Sequence, residues 1–323
     1  MLYPTTRRLQ TKRYSGSIRD DAYFRQKGIN WIIGKDRIQR KQQDRRLLRK
    51  MKNIAVILAG GIGARVGGNV PKQLLPLADG RSVLEHATEA FEQADCIDEV
   101  CIVMHPDYIA FAEQALLRND WQKVKHIIAG GKERWESSVN AIRLYESVLS
   151  AEEFAHANIL LHDAARPFVT QAIIANVCQA LETHEAVTVA VPATDTMYVV
   201  TPTPNPQLAT CNPQQTPPPH FVYPDLSGQG GSRGRGINTQ PLPLREDGRV
   251  VQSIPPRDTL MRAQTPQAFR LPLIACAYTL ALQDPALQAT DDCGILHRYL
   301  PTEPIHIVTG EETNRKITFK EDL

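Results

Sequence analysis

The sequence lacks the features of a membrane, secreted or metal-cluster protein. No apolar run in its 323 residues approaches the roughly 18 that span a bilayer, and the N-terminus has no apolar signal core. The six cysteines form no C-x-x-C pair, which argues against a disulfide framework and a zinc cluster. We therefore expect a cytoplasmic protein without a membrane partner.

Acidic residues are scarce only in the first part of the chain. Residues 1–50 carry 15 basic and 4 acidic side chains, a balance of +11, although the net charge of the whole chain is +2. The remainder of the chain therefore has a balance of −9. Because nucleic-acid binding requires a basic face, the folded part is expected to bind no nucleic acid.

Residues 1–50 have few aliphatic side chains and no sustained helical period, which predicts a disordered basic tail. The tail could be a targeting peptide, or an arm that touches RNA or a membrane. We favour a third interpretation, in which the native protein starts at Met51, immediately before the first strand-like run. Residues 51–323 are expected to form one domain.

A proline-rich segment at about 201–248 interrupts this domain. Ten of the 23 prolines lie between residues 201 and 250, together with the run GQGGSRGRG. Such a composition buries too little apolar surface to fold, and strand-like sequence resumes on both sides of it. The segment is therefore predicted to be an insertion.

Short β-rich runs alternate with amphipathic segments along the domain. The runs are 54–58, 100–104, 159–161, 187–191 and 305–308. Between them, Ser82 and Thr170 are placed to cap helices. This alternation predicts an α/β, Rossmann-like fold with a mostly parallel sheet and helices on both faces. Ligands of such sheets bind beyond the carboxyl ends of the strands.

The stretch LAGGIGARVGGNVPKQ (58–73) follows the first of these runs. Gly60, Gly61 and Gly63 allow backbone N–H groups to approach an anion, although a tight turn with incidental glycines would look the same. Neither the dinucleotide fingerprint G-x-G-x-x-G nor the Walker triplet GK[ST] occurs here. Arg65 and Lys72 in the same loop favour a phosphate-binding function, for example with a triphosphate.

Three further motifs contain charged or polar residues that a purely structural role explains poorly. GGKERWESS (130–138) has an arginine and two serines after a strand-like run, and LLHDAARPF (160–168) places Asp163 after another. Asp163 could hold a metal ion or cap a helix. In AQTPQAF (263–269), Pro266 is expected to break secondary structure at the margin of the sheet.

The order of the motifs is AGGIGARVGGNVPKQ, GGKERWESS, HDAARPF, PATDTM, RAQTPQAF, ATDD and NRKITFKEDL. From about residue 51 to residue 323, apart from the insertion, the chain resembles the family of 2-C-methyl-D-erythritol 4-phosphate and D-ribitol-5-phosphate cytidylyltransferases. The resemblance implies a nucleotidyltransferase-type fold with a protruding arm, and a reaction of CTP with a polyol phosphate that gives a CDP-polyol and pyrophosphate. It also implies Mg²⁺ and a homodimer joined through the arm near Arg257.

The resemblance also assigns roles to individual residues. Those expected to line the nucleotide are Leu58, Ala59, Gly60, Gly61, Gly63, Gly131, Arg134, Ser137 and Ala164, with Gly131, Arg134 and Ser137 at the cytosine. The catalytic cations would be Arg65, Lys72, Arg257 and Lys316. Asp163 would bind the metal ion, and Arg166, Thr196 and Thr265 would bind the acceptor.

The sequence identifies the family clearly but says less about which polyol phosphate is the acceptor. The runs TDDCGI (290–295) and KITFKEDL (316–323) slightly favour D-ribitol 5-phosphate over 2-C-methyl-D-erythritol 4-phosphate, an isoprenoid precursor. A protein that binds CTP without turning it over is the nonenzymatic alternative, and an RNA-binding protein that uses the basic tail is another. A binding protein needs no charges aimed at a leaving group, so the set of Arg65, Lys72, Asp163 and Lys316 favours an enzyme.

Overall fold

The computed structural model describes residues 51–61, 71–200, 250–318 and 322. The basic tail, most of the glycine loop and the whole proline-rich segment lie outside these residues, so the predictions made for them stay predictions. The chain divides into a larger unit, which runs up to Val191 and resumes at Arg262, and a smaller unit, Pro192–Met261.

A seven-stranded sheet forms the centre of the larger unit. The strands of the chain are β1 (Lys52–Ala59), β2 (Glu99–Met104), β3 (Val124–Ala129), β4 (Ala157–Asp163), β5 (Ala186–Pro192), β6 (Val199–Val200), β7 (Val251–Ser253), β8 (Met261–Arg270) and β9 (His306–Thr309). The order in the large sheet is β3-β2-β1-β4-β8-β5-β9. The pairs β3–β2, β2–β1, β1–β4 and β5–β9 are parallel, whereas β8 is antiparallel to β4. The predicted mostly parallel sheet is confirmed.

Helices connect these strands. They are α1 (Val83–Glu92), α2 (Ile109–Asn119), α3 (Arg134–Val148), α4 (Ala151–Ala155), α5 (Gln171–Leu181), α6 (Leu271–Ala281) and α7 (Asp292–Tyr299). Short 3₁₀ turns lie at Lys72–Leu74, Pro106–Tyr108 and Arg257–Thr259. Within the described ranges, no helix has the length and apolar character needed to cross a membrane.

The two predicted helix caps are present. Ser82 Oγ accepts a hydrogen bond from the Glu85 amide, and the Glu85 carboxylate accepts one in return from the Ser82 amide, which completes a capping box for α1. Thr170 Oγ1 accepts a hydrogen bond from the Ile173 amide at the start of α5. Both helices therefore begin where their local sequence satisfies the first free amides.

Helices cover both faces of the sheet, and β1 shows this alternation directly. Ala55 and Ile57 belong to one buried apolar cluster, which includes side chains of α1, α2 and α5. Ile54 and Val56 belong to the other cluster, which includes side chains of α3, α6 and α7. Because alternate side chains of a strand point to opposite faces, β1 is apolar at nearly every position and is buried on both sides.

The prediction that Pro266 breaks the structure is wrong. Pro266 lies inside β8, a ten-residue strand with buried residues from Gln264 to Phe269, and follows a cis peptide bond. The register of β8 with β4 extends from Gln267 to Arg270, so Pro266 lies outside the part of the strand that pairs with β4. Proline, which lacks an N–H, is tolerated beyond such a ladder.

The smaller unit contains a second, two-stranded antiparallel sheet of β6 and β7. Several large apolar side chains of this unit are exposed to solvent: Met197, Tyr198, Val199, Val250, Val251, Ile254 and Met261. We call this set the apolar surface of the smaller unit. The predicted insertion connects β6 and β7 in the sequence, and its residues up to 248 lie outside the described ranges after Val200.

Candidate active site

The candidate site lies at the carboxyl ends of β1 and β4, as the sequence predicts for a sheet of this type. Leu58 and Ala59 end β1, Asp163 ends β4, and Leu58 is paired in register with Asp163. The amide of Ala164 donates to the Leu58 carbonyl oxygen at 3.0 Å. The glycine loop and the HDAARPF motif therefore leave the sheet side by side.

Asp163 is bound by two cations. Arg134 Nε donates to Asp163 Oδ1 at 2.9 Å, and Lys316 Nζ donates to Asp163 Oδ2 at 2.7 Å. The Asp163 side chain is only 12% exposed, and burial alone would raise its pKa. The positive charges of Arg134 and Lys316 outweigh burial and hold the pKa of Asp163 well below its usual range. Asp163 is therefore ionised at every physiological pH.

Arg134, the first residue of α3, joins Asp163 to a second carboxylate. Its Nη1 donates to Asp292 Oδ2 at 2.5 Å. Burial opposes the charge on Arg134, but the two neighbouring carboxylates raise its pKa above the usual value. Arg134 Nη2 is buried, and it has no hydrogen-bond partner in the described part of the chain. A guanidinium has five N–H donors, so this one retains donor capacity for a substrate oxygen.

A buried chain of hydrogen bonds fixes the backbone of Asp163. The Asp163 amide donates to Thr265 Oγ1 at 3.1 Å. The Thr265 hydroxyl donates to His162 Nδ1 at 3.0 Å, because the ring is neutral and its proton lies on Nε2, which faces a carbonyl oxygen. The other ring nitrogen of His162 then donates to the Arg166 carbonyl oxygen at 3.0 Å. Burial lowers the pKa of His162 to about 4, so the ring is neutral near pH 7. Thr265, predicted at the acceptor, is buried in this chain of bonds.

The C-terminal motif closes over the same edge of the sheet. Lys72 Nζ donates to the Ile317 carbonyl oxygen at 2.7 Å, and the Ile317 amide donates to the Ala165 carbonyl oxygen at 2.8 Å. Arg166 Nη1 donates to the Asn314 carbonyl oxygen at 2.7 Å. These contacts bring the predicted residues Lys72, Arg166 and Lys316 into one network with Asp163, and one of them joins Lys72 to Ile317, 245 positions away in the sequence.

The nucleotide-binding motifs approach each other closely. Ser137 Oγ accepts a hydrogen bond from the Gly131 amide at 3.1 Å. A Cβ atom on Gly130 would lie 2.8 Å from Ser137 Oγ and 3.1 Å from the Gly60 Cα atom. A side chain at Gly130 would therefore push the two loops apart. The structure thus brings Gly60, Gly131 and Ser137 together, and their role at the nucleotide stays a prediction.

The remaining predicted residues fall elsewhere. Gly63 and Arg65 lie outside the described residues. Thr196 and Arg257 belong to the smaller unit, where Arg257 Nη2 donates to Thr196 Oγ1 at 3.1 Å. Their predicted contact with the acceptor phosphate stays a prediction.

Several residues that organise the site are missing from the sequence prediction. Gln73 Nε2 donates to the carbonyl oxygens of Ala59 and Gly61, both at 2.7 Å, and so fixes the base of the glycine loop. Asn314 Nδ2 donates to the Thr265 carbonyl oxygen at 2.9 Å, and Asp292 binds Arg134. Each of these polar side chains is buried, yet only its position within a quoted motif distinguishes it in the sequence.

The carboxylate of Asp163 fits a magnesium ion that is also bound by phosphates. No group of three His, Cys, Asp or Glu side chains that could hold a metal occurs among the described residues. Mg²⁺ is commonly held by one or two carboxylates together with waters and substrate phosphates, so a full protein cage is not required. Each Asp163 oxygen has a second lone pair beyond the one that faces its cation.

Basic side chains gathered around one carboxylate, beside a glycine loop on a mostly parallel sheet, are typical of nucleotidyltransferases. The similarity of the sequence to known proteins agrees with this class and narrows it to one family. The model of the IspD family, 2-C-methyl-D-erythritol 4-phosphate cytidylyltransferase, matches residues 53–209 and 242–323. The chain belongs to this family, and it is a CTP-dependent cytidylyltransferase.

Individual proteins show how far the similarity extends. The chain is 38% identical over 275 residues to the 2-C-methyl-D-erythritol 4-phosphate cytidylyltransferase of Thermobifida fusca, covering 85% of this chain and 92% of that protein. It is 32% identical to the bifunctional ribulose 5-phosphate reductase/CDP-ribitol pyrophosphorylase Bcs1 of Haemophilus influenzae, covering 85% of this chain and 48% of that protein. The crystal structure of 4-diphosphocytidyl-2C-methyl-D-erythritol synthase from Anaerococcus prevotii has the same fold, with a TM-score of 0.59, 23% identity, and coverage of 84% and 92% of the two chains.

Proposed function

We propose that the protein transfers a cytidylyl group from CTP to 2-C-methyl-D-erythritol 4-phosphate. The support is the similarity to the Thermobifida protein, which bears the name of that activity and is matched over 92% of its length. The slight preference of the sequence for D-ribitol 5-phosphate is therefore replaced, because the relative named for a CDP-ribitol activity is only 32% identical, and the family model and the more similar relatives are named for 2-C-methyl-D-erythritol 4-phosphate. D-ribitol 5-phosphate remains the competing acceptor in the test.

The reaction needs charge neutralisation more than proton transfer. A phosphate oxygen of the acceptor attacks the α-phosphorus of CTP, and the bond to the bridging oxygen breaks to release pyrophosphate. The attacking oxygen is already anionic near neutral pH, so no general base is required. The main barrier is the repulsion between two phosphates, which preorganised cations reduce. The single observation that carries this mechanism is the network that joins Lys72, Arg134, Arg166 and Lys316 around Asp163.

In this mechanism each cation has a separate task. We assign Lys72, with Arg65, to the α-phosphate of the transition state. Lys316, which is 42% exposed and bound only at its tip to Asp163, can exchange that carboxylate for the acceptor phosphate. Arg166 is held by the carbonyl oxygens of Asn314 and Ala263 and presents a fixed charge toward the acceptor side.

The nucleotide and the metal ion complete the proposed site. Leu58, Ala59, Gly60, Gly61, Gly63, Gly131, Arg134, Ser137 and Ala164 would line the nucleotide. Asp163 would hold Mg²⁺ together with the phosphates, and the ion would neutralise charge on them. The Thr265 hydroxyl accepts a hydrogen bond from the Asp163 amide, and we assign Thr265 to the acceptor side of the site through this contact.

The acceptor is tested by measuring pyrophosphate release from CTP and Mg²⁺ with each polyol phosphate in parallel. We expect the higher kcat/KM with 2-C-methyl-D-erythritol 4-phosphate. A higher kcat/KM with D-ribitol 5-phosphate would replace the proposed acceptor, and binding of CTP without any release of pyrophosphate would contradict the proposed mechanism. ATP and UTP serve as controls for the base.

Lys72 provides a direct test of the mechanism. Removal of one transition-state donor costs about a hundredfold or more in kcat, so Lys72→Ala should lose at least that factor. Lys125 is a matched control because its Nζ also donates to a backbone carbonyl oxygen, that of Gln122, at 2.6 Å on β3. Lys125→Ala should keep kcat within about twofold, and near-normal turnover of Lys72→Ala would reject the assigned role.

We also propose a homodimer joined through the smaller unit, in the cytoplasm. The apolar surface of the smaller unit supports the dimer, since exposed apolar patches of this kind commonly mark contacts between proteins. Free thiols at all five described cysteines support a reducing compartment. Sedimentation of the full chain would show a monomer if the dimer proposal is wrong.

A further inference from the structure

Asp292, in the first turn of α7, is a fully buried carboxylate beside the nucleotide-binding motif. It accepts from Arg134 Nη1 at 2.5 Å and from the Tyr278 hydroxyl at 2.6 Å. The Asp292 amide donates to Gln267 Oε1 at 3.0 Å. Its partners come from three separate elements: α3 and α6 bind the carboxylate, and β8 binds the backbone amide.

The two oxygens of Asp292 have separate partners. Tyr278 donates to Oδ1, whereas Arg134 donates to Oδ2. The Tyr278 ring is itself 2% exposed and packs in the apolar cluster of α3, α6 and α7, so its hydroxyl cannot move far. The carboxylate therefore presents one oxygen to Arg134 in a fixed orientation.

Arg134 is consequently held at two different nitrogens. Nε binds Asp163 at 2.9 Å, and Nη1 binds Asp292 at 2.5 Å. Because the guanidinium is planar, two anchors on different nitrogens fix both its position and its plane. The third nitrogen, Nη2, is the buried donor that lacks a partner in the described part of the chain.

We propose that Asp292, supported by Tyr278, is a positioning residue that orients Arg134 toward the bound nucleotide. This inference rests on the proposed nucleotide-binding role of Arg134. Asp292 itself touches neither substrate, and it acts only through the direction that it gives to the guanidinium.

An alternative role for Asp292 is purely structural. A buried ion pair often contributes little net stability, because desolvation of the charges offsets their attraction. Loss of one partner still destabilises the fold, so a change in stability does not separate the two roles. Affinity for CTP does separate them, because a structural role would not change the KM for CTP selectively.

The test compares Asp292→Asn with the wild type by the KM for CTP, the KM for the acceptor and kcat, together with CTP binding measured by calorimetry. One misdirected charged donor should raise the KM and the dissociation constant for CTP about tenfold or more, and leave the KM for the acceptor within about threefold. Asp292→Glu should restore part of the affinity, because it keeps the charge.

Asp284, which lies between α6 and α7, provides a matched control. Asp284, after α6, accepts from Arg298 Nη2 at 2.7 Å and from the Tyr299 hydroxyl at 2.8 Å. It thus has the same kinds of partner as Asp292 but, within the described residues, makes no hydrogen bond to Asp163, Arg134 or Lys316. Asp284→Asn should leave the KM for CTP unchanged.

Two further variants make the test decisive. Tyr278→Phe removes only the hydroxyl and should raise the KM for CTP about threefold, which decides the matter if Asp292→Asn does not fold. In an Arg134→Gln background, Asp292→Asn should have no further effect on CTP affinity. Wild-type CTP affinity in folded Asp292→Asn or in Tyr278→Phe, or an undiminished effect in the Arg134→Gln background, would overturn the proposal. Failure of the proposed function would instead appear as a wild-type protein that neither binds nor consumes CTP.

Discussion

Lowering the pH from 7.5 to 5.5 should destabilise the protein through His162. Burial lowers the pKa of this residue from 6.5 to about 4. The unfolded chain therefore takes up a proton at His162 below about pH 6.5, whereas the folded chain does so only near pH 4. The contribution of the neutral His162 to the free energy of unfolding is fully present above pH 6.5 and is lost as the pH falls toward 4.

The size of the effect follows from the two pKa values. At pH 5.5 about nine tenths of the unfolded chains carry the proton, but only a few per cent of the folded ones do. Linkage then gives a loss of about 1 kcal/mol in the free energy of unfolding between pH 7.5 and 5.5. His162 is completely buried, so solvent screening does not reduce this value.

Urea denaturation at both pH values measures the loss. His162→Gln serves as the control, because its amide can still donate to the Arg166 carbonyl oxygen but cannot titrate. The variant should be less stable than the wild type at pH 7.5, and its stability should fall by about 1 kcal/mol less on acidification. An equal fall in both proteins would refute the assignment of a neutral, buried His162.

Two other predictions test the close contacts and the core. Gly130→Ala should lower kcat/KM for CTP at least about tenfold, because its Cβ would lie 2.8 Å from Ser137 Oγ and 3.1 Å from Gly60 Cα; wild-type kinetics would contradict this. Tyr145→Phe should lower the free energy of unfolding by about 1–2 kcal/mol and leave kcat unchanged, because the Tyr145 hydroxyl donates to the buried carboxylate of Glu99 at 3.0 Å. Urea denaturation together with the pyrophosphate assay measures both quantities, and an unchanged stability would show that this bond contributes nothing.

Short stretches of sequence predicted those strands and helices that depend on neighbouring residues, such as apolar runs and helix caps. The runs at 54–58 and 100–104 lie within β1 and β2, and the caps at Ser82 and Thr170 start α1 and α5. β8 could not be predicted in this way. Pro266 is typical of a strand breaker in isolation, but β8 lies between β4 and β5 in the sheet and its register with β4 begins only at Gln267, so the strand tolerates the proline.

The sequence by itself determined the family and its cytidylyl-transfer chemistry, because ordered motifs are visible without coordinates. It also predicted which residues supply charge at the ends of the strands. Only the tertiary structure decided how those charges are paired. Arg134 lies 29 positions from Asp163 and 158 from Asp292, and Lys316 lies 153 from Asp163. Contacts over such separations depend on how the sheet and helices pack, so no local pattern of residues encodes them.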